Sequence, residues 1–381
     1  MKDELIMPNY GNSILNLINS ILKHYKVQTK YQGLKQLEEY LKKDYQNIVL
    51  IILDGMGYNI LKDHSPNGFF MKKNISKITS VCPSTTTAAM TTYYSGKPPI
   101  ETGWIAMSQY YKEHGKQIET LRERYTHTHE KLNNERFDII KLMEYKTVYE
   151  QIEEMGVKAY EINPDHCKSR SKRNINAKTV ELMCDNIKDL CTNNDKKFIL
   201  AYNDNPDVLL HKNGCNSKEV NEFIKIAEEQ IEKLAKDLKD TNTLILLSAD
   251  HGHKEIGKVY NILEMEDIQE CMIMPPAFES RAVTFWIKEN KKKKFEQIFE
   301  EKFKEEFMLF TKEEFLEKKL LGEGNQHKKI DDFIGNYIAI AISDAIIKLD
   351  SNLAPLKGNK KATHCGFTKY EMEVPLIVIE P

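Results

Sequence analysis

The sequence predicts a three-layer α/β/α fold with a mostly parallel central sheet and inserted cap segments. Three observations lead there. The runs NIVLIIL (47–53), KFILAY (197–202), TLILLS (243–248) and VPLIVIE (374–380) are continuously apolar instead of alternating. Ile-, Val- and Leu-rich runs of this length are strands buried on both faces of a sheet. Between them lie helical periodicities: EVNEFIKIAEEQIEKLAKDLK (219–239) repeats apolar residues at three and four, as does TVYEQIEEMG (147–156) before a Gly that ends it. GVKAYEI (156–162) then reads as a further strand. Strands alternating with helices fold as a sheet covered on both sides.

In chain order, residues 1–45 supply an N-terminal segment with a helix at about 13–25. The α/β core comprises 46–104, 146–257 and 330–381. Two stretches interrupt its rhythm and are read as caps over the carboxyl edge of the sheet. Residues 105–145 are polar and aromatic-bearing, without a clear strand. Residues 258–329 carry their own strand, RAVTFWIK (281–288), and charged helices around 292–307 and 312–321. In NKKKKFEQIFEEKFKEEF (290–307) acids follow the lysines at helical spacing, so the run is a solvated helix face. No repeat or low-complexity linker divides the chain into flexible domains.

Composition narrows the function classes. A 41% hydrophobic and 29% charged chain of 381 residues is that of a soluble globular protein with a sizeable core. A net charge of -2 with interleaved signs provides no basic field for a nucleic-acid polymer. Seven dispersed cysteines without CxxC pairs point to reduced thiols. The start MKDELIMPNYGNS lacks signal-peptide character, and no apolar run nears the ~20 residues that span a bilayer. The expectation is a cytoplasmic protein acting on a small molecule, with no membrane partner. Oligomeric state is not legible in these letters.

The loops beyond the strands carry the chemistry. NIVLIIL runs into Asp54 and Gly55, KFILAY into NDNPDVLLH with Asp207 and His211, and TLILLS into ADHGH with Asp250 and His251. His364, in THCGFT, lies shortly before the last strand. Ligands of open parallel sheets bind outside the carboxyl ends of strands, and these loops share that edge. Carboxylates gathered there repel one another unless a cation neutralises them. Mixed imidazole and carboxylate ligands suit zinc, with manganese as the alternative, and two-metal sites suit hydrolytic phosphoryl chemistry. Asp207 and His211 stand four apart, so a helical turn aims both at one ion. PSTTTAAMTTYYSG (83–96) adds three consecutive threonines at a helix start. Their hydroxyls suit an N-cap or a nucleophile, and the stretch alone leaves both open.

Five blocks in order complete the pattern: ILDGMG, PSTTT with SGKPPIETGW, NPDVLLH, SADHGH and HCGFTKYEMEVPLIV. Together they resemble the alkaline phosphatase superfamily, most closely its type I phosphodiesterase/nucleotide pyrophosphatase branch. The resemblance implies two divalent metal sites, one from Asp207, His211 and His364, the other from Asp54, Asp250, His251 and the nucleophile. In that branch the nucleophile is the fourth residue of a Pro-Thr-x-Thr pattern, ten residues before a Gly. Here Pro83-Ser84-Thr85-Thr86 precedes Gly96, which implies Thr86, with Thr85 and Thr87 capping or packing. Hydrolysis of a nucleotide-like phosphodiester or pyrophosphate through a covalent phospho-threonine would result.

The sequence departs from the branch at a phosphoryl contact. An Asn that contacts the phosphoryl oxygen, about two dozen residues after the nucleophile, is missing; Met107 stands near its place, with Ser108 and Gln109 as substitutes. Tyr110, Tyr111, Tyr125 and Arg122 are candidates for holding a nucleotide, although residues of this kind more often serve as ordinary cap packing. His253, Arg281 and His327 lie near the right segments without a role. The alternative on the same core is a phosphomonoesterase or phosphoglycerate-mutase-like phosphotransferase. It needs extra cations for a dianion, for which Arg122, Arg124 and Arg136 are available. The Cys/Ser-x-Pro-x-Arg signature of sulfatases is absent, and a complete ligand set argues against a silent scaffold.

Overall fold

The computed structural model describes residues 3–133, 137–193, 195–349 and 360–381. Its centre is a seven-stranded sheet. Asn47–Leu53 lies between Lys197–Asn203 and Thr243–Ser248 and is parallel to both. Lys158–Asn163 and then Asn174–Asn176 continue the parallel pairing outward. All seven side chains of Asn47–Leu53 are buried, because helices cover both faces of the sheet. Each such Ile or Leu contributes roughly 1.5–3 kcal/mol through burial.

On the other side Glu373–Ile379 pairs antiparallel with both Thr243–Ser248 and Asn74–Thr79. The sheet is therefore mixed, with Glu373–Ile379 as the one strand running against the other six. The reason is the short path into this strand. A parallel entry needs a crossover of a dozen residues or more to reach the opposite edge. The chain instead passes from His364 through the helix Lys369–Met372 straight into the strand at the edge where it already lies.

A second seven-stranded sheet forms beside the first, and its strands pair antiparallel. It combines Ser108–Tyr111, Lys116–Glu119 and Arg124–Tyr125 with Ala277–Glu279, Ala282–Phe285, Phe307–Thr311 and Tyr337–Ala341. Residues 105–145 thus do contain strands, and 330–381 divides between the two sheets instead of returning whole to the first. These strands are only two to five residues long and draw on three chain segments, so the shortest have no hydrophobic run of their own, whereas Ala282–Phe285 falls within the strand expected at 281–288. The charged helix ends at Phe303, and Phe307–Thr311 is strand, not helix.

The N-terminal helix Ile14–His24 belongs to the main core: Ile14, Leu17, Ile18 and Ile21 pack in one cluster with the central strands. The helix Lys218–Asp237 buries Val220, Ile224, Ala227, Ile231 and Leu234, and its Ser217 side chain accepts from Val220 N. Among the described residues, no helix is long and apolar enough to cross a membrane.

Candidate metal centre and active site

Strand register brings the acids together. Leu53 pairs with Asn203, and Ile52 with Ser248, so three parallel strands end level. The residues beyond them place Asp54, Asp207 and Asp250 along one edge. The antiparallel Glu373–Ile379 begins at that same edge, and the loop before it delivers His364. Gly55 permits the crowding: at φ +73°, a Cβ there would lie 3.0 Å from both Asp207 Cα and His253 Cδ2.

Thr86 opens the helix Thr86–Ser95. It is the one residue between Val81 and Tyr93 that is not buried, so its hydroxyl faces the cleft. Thr86 Oγ1 lies 3.4 Å from Asp54 Oδ2 and 3.3 Å from His251 Nε2. The neighbouring threonines, expected to cap or to pack, are both buried, and neither side chain caps the helix. Thr85 occupies the N-cap position, but its hydroxyl donates to Glu279 Oε1 at 3.0 Å. Thr87 Oγ1 is buried without a hydrogen-bond partner among the described residues.

Asp54, Asp250, His251 and Thr86 form one convergent set. His251 Nε2 stands 3.2 Å from Asp250 Oδ2 and 3.5 Å from Asp54 Oδ1. Ligands bonded to zinc at about 2.0–2.1 Å in a tetrahedron are separated by roughly 3.3–3.4 Å, so these spacings fit an ion. Asp54 Oδ1 and Asp250 Oδ2 are also buried without hydrogen-bond partners among the described residues. Buried carboxylate oxygens in that state are costly unless a cation takes them. Burial, then the Asp250 and Asp207 charges, pushes the Asp54 carboxyl well up. Tyr202 donates to its Oδ2 at 2.5 Å.

A second set centres on Asp207. Its Oδ1 lies 3.4 Å from His211 Nε2, 3.8 Å from His364 Nε2 and 2.6 Å from His253 Nε2. Carboxylate and imidazole atoms of Asp207, His251, His253 and His364 all fall within 4.8 Å of one another. Burial works to raise the Asp207 pKa, but His211, His253 and His364 outweigh it and hold the carboxyl well below its usual range. Burial lowers His211 to about 3, and pushes His364 well down with help from His251. Three of the histidines are oriented alike. Nδ1 of His211, His251 and His364 meets the carbonyls of Ala362 (2.7 Å), Gly252 (3.1 Å) and Ser84 (3.1 Å). A carbonyl only accepts, so Nδ1 carries the proton and each Nε2 turns its lone pair toward the site.

Residues 48–341 match the family model of type I phosphodiesterase / nucleotide pyrophosphatase. The chain belongs to that family. It is accordingly a hydrolase. Among solved structures it is similar to murine ectonucleotide pyrophosphatase / phosphodiesterase 5, at 16% identity over 88% of each chain with a TM-score of 0.63. An inactive variant of the murine protein in complex with AMP matches at 15% identity, covering 88% of this chain and 87% of that one, with a TM-score of 0.62. Phosphonoacetate hydrolase from Sinorhizobium meliloti 1021, in complex with phosphonoformate, matches at 14% identity, covering 87% of this chain and 89% of that one, with a TM-score of 0.63. At such identities the likeness concerns the fold. No curated protein sequence matches the chain.

Within this family fold the two sets bring all seven sequence-derived residues together: Asp54, Thr86, Asp207, His211, Asp250, His251 and His364. The substitutes for the missing Asn are otherwise engaged. Ser108 Oγ pairs with Thr126, and Gln109 holds Gly103 O, Ile105 N and Ala106 N. Met107 N donates to Glu279 Oε1 at 2.7 Å. The aromatic candidates pack within the cap: Tyr110 against Trp286, Tyr111 against Phe137 and Phe333, and Tyr125 against His114.

Four residues at the site escaped the sequence reading. Tyr202 ends KFILAY, opposite Ile52, and strand register would have found it. Lys360, whose Nζ stands 3.1 Å from His211 Nε2, and Glu279, raised by burial, carry no local signal. His253, two residues beyond His251, had a signal in the repeated DHGH letters but no role.

Proposed function

We propose that this family member hydrolyses small, nucleotide-like phosphodiesters or pyrophosphates through a covalent phospho-Thr86 intermediate, with two divalent ions, zinc as the expected metal. The observation that carries the reading is Thr86 Oγ1, half-buried at a helix start and 3.3–3.4 Å from His251 Nε2 and Asp54 Oδ2. Asp54, Thr86, Asp250 and His251 would hold one ion; Asp207, His211 and His364 would hold the other. Such ions supply Lewis acidity, lowering hydroxyl and water pKa values and neutralising charge on phosphoryl oxygens.

The chain's own groups do the rest. Thr86 Oγ1 gives up its proton to solvent and attacks phosphorus, and the leaving oxygen departs with the electron pair of its broken bond and takes up a proton from solvent. Backbone N–H groups in the first turn of Thr86–Ser95 face the developing negative charge. Tyr202 keeps Asp54 oriented during the step. Water then attacks the phospho-threonine, releasing phosphate product and restoring the hydroxyl. The second sheet acts as the cap over this edge. Unpaired cysteines throughout support a reducing, cytoplasmic setting.

The monoester alternative is disfavoured by the cap arginines. Arg122 and Arg124 both pair with Glu119, which leaves neither free to hold a dianion; Arg136 lies outside the described residues. Lys360 brings a single cation to the cleft, which suits a monoanionic diester better. The test compares bis(p-nitrophenyl) phosphate with p-nitrophenyl phosphate on zinc-loaded enzyme, alongside Thr86→Ala. Diester preference is expected, with kcat falling by a factor of ~10³ or more in the variant. Full turnover by Thr86→Ala would refute the nucleophile, and monoester preference would favour the alternative.

A further inference from the structure

His253 differs from the other three histidines at the site. Its Nδ1 is buried and has no hydrogen-bond partner among the described residues. No carbonyl therefore holds a proton on that nitrogen, as Ala362, Gly252 and Ser84 do for His211, His251 and His364. A neutral imidazole carries its proton on one nitrogen or the other. Nε2 is the one with an acceptor, Asp207 Oδ1 at 2.6 Å. This ring thus has the opposite tautomer, and its Nε2 has no lone pair to offer an ion.

The distances lead the same way. Two ligands of one tetrahedral zinc stand roughly 3.3–3.4 Å apart. His211 and His364 lie 3.4 and 3.8 Å from Asp207 Oδ1, near that separation. The 2.6 Å approach of His253 is too short for a co-ligand and is right for a charge-assisted hydrogen bond. The ring is rigidly placed: His253 is fully buried, and its Cδ2 abuts Gly55 so closely that no Cβ fits there without contact at 3.0 Å.

We propose that His253 is a positioning residue: it donates Nε2–H to Asp207 Oδ1 and so fixes the carboxylate that, with His211 and His364, forms the second metal site. The inference rests on the metal assignment above. Proximity would otherwise admit His253 as a ligand in place of His211, and the tautomer decides against it. A donor behind a ligating carboxylate sets its rotamer, and losing such a partner typically weakens metal binding by about 10–100-fold.

The test uses the full chain as wild type, His253→Leu and His253→Gln. Gln keeps an N–H donor but is a poor zinc ligand, whereas Leu keeps only bulk. Zinc titration against a chelator should give two ions on the wild type. On His253→Leu the weaker of the two should bind ~10–100-fold less tightly, with the other unchanged, and His253→Gln should recover most of the loss. Histidine ¹⁵N spectra of the metal-free wild type, assigned by the resonance missing from His253→Gln, should show an Nε2–H tautomer for this ring alone among the four. That measurement needs only His253→Gln to fold, so it stands even where His253→Leu does not. A wild type that binds no ion overturns the metal assignment itself. Two ions with His253→Leu unaffected, or His253→Gln as weak as His253→Leu, or an Nδ1–H tautomer, overturns only the role of His253.

Discussion

Removing and restoring the metal should change thermal stability by an amount the structure allows to be worked out. Asp54 Oδ1 and Asp250 Oδ2 are buried without hydrogen-bond partners among the described residues, and His251 Nε2 stands beside both. An ion that binds this arrangement, and not the unfolded chain, stabilises by about 4.1 kcal/mol per site at a free concentration near 1,000 Kd. With ~2.1 cal/mol/K of unfolding entropy per residue, 381 residues give roughly 0.8 kcal/mol per degree. Each site should therefore raise Tm by about 5 °C, and two by about 10 °C. Differential scanning calorimetry of chelator-treated protein, before and after zinc, reads this directly. Asp54→Asn should abolish one increment and Asp207→Asn the other. Equal zinc shifts in wild type and both variants would refute the assignment of these carboxylates to two ions.

The same geometry gives two further expected outcomes. Arg281 is fully buried; it donates Nε and Nη2 to Glu371 and reaches the carbonyls of Ser343 and Ala345. Glu371 also accepts from Gly366 N and Thr368 Oγ1, close to the His364 loop. Arg281→Met strands that carboxylate and should cost about 3–5 kcal/mol in denaturant unfolding, where a loss under ~1 kcal/mol would refute the importance of the pair. In metal-free protein, burial depresses His211 to about 3, so the folded state binds fewer protons than the unfolded one. This contribution is fully present above an unfolded pKa of ~6.5 and is lost as pH falls toward 3, so unfolding free energy should be lower at pH 5 than at pH 7. Asp54, raised by burial, runs the other way, and Asp54→Asn should widen the difference between the two pH values; a smaller difference would contradict it.

The sequence by itself determined the central strands and the acidic residues at their ends. NIVLIIL, KFILAY and TLILLS are each long enough and apolar enough to report double-sided burial locally. An acid one step beyond such a strand inherits its place from the strand. The helix Lys218–Asp237 was legible for the same reason, through the uninterrupted period read over 219–239. Thr86 was legible only through the order of five motifs, because a hydroxyl at a helix start has no single meaning.

Tertiary structure decided everything that depends on contacts between distant segments. The second sheet is assembled from strands as short as Arg124–Tyr125. The hydrophobic pattern of so short a piece is too brief to distinguish strand from loop. The direction of Glu373–Ile379 depends on where the chain leaves the cap, not on the letters VPLIVIE. Glu279 meets Thr85 across 194 residues, and the meeting turns an apparent capping threonine into the donor to a cap carboxylate. The tautomers are the finest case. DHGH spells two histidines alike, yet a carbonyl faces Nδ1 of His251 and none faces Nδ1 of His253 among the described residues. Which nitrogen is free for an ion is set by the neighbour on the far side of the ring, and only the fold supplies that neighbour.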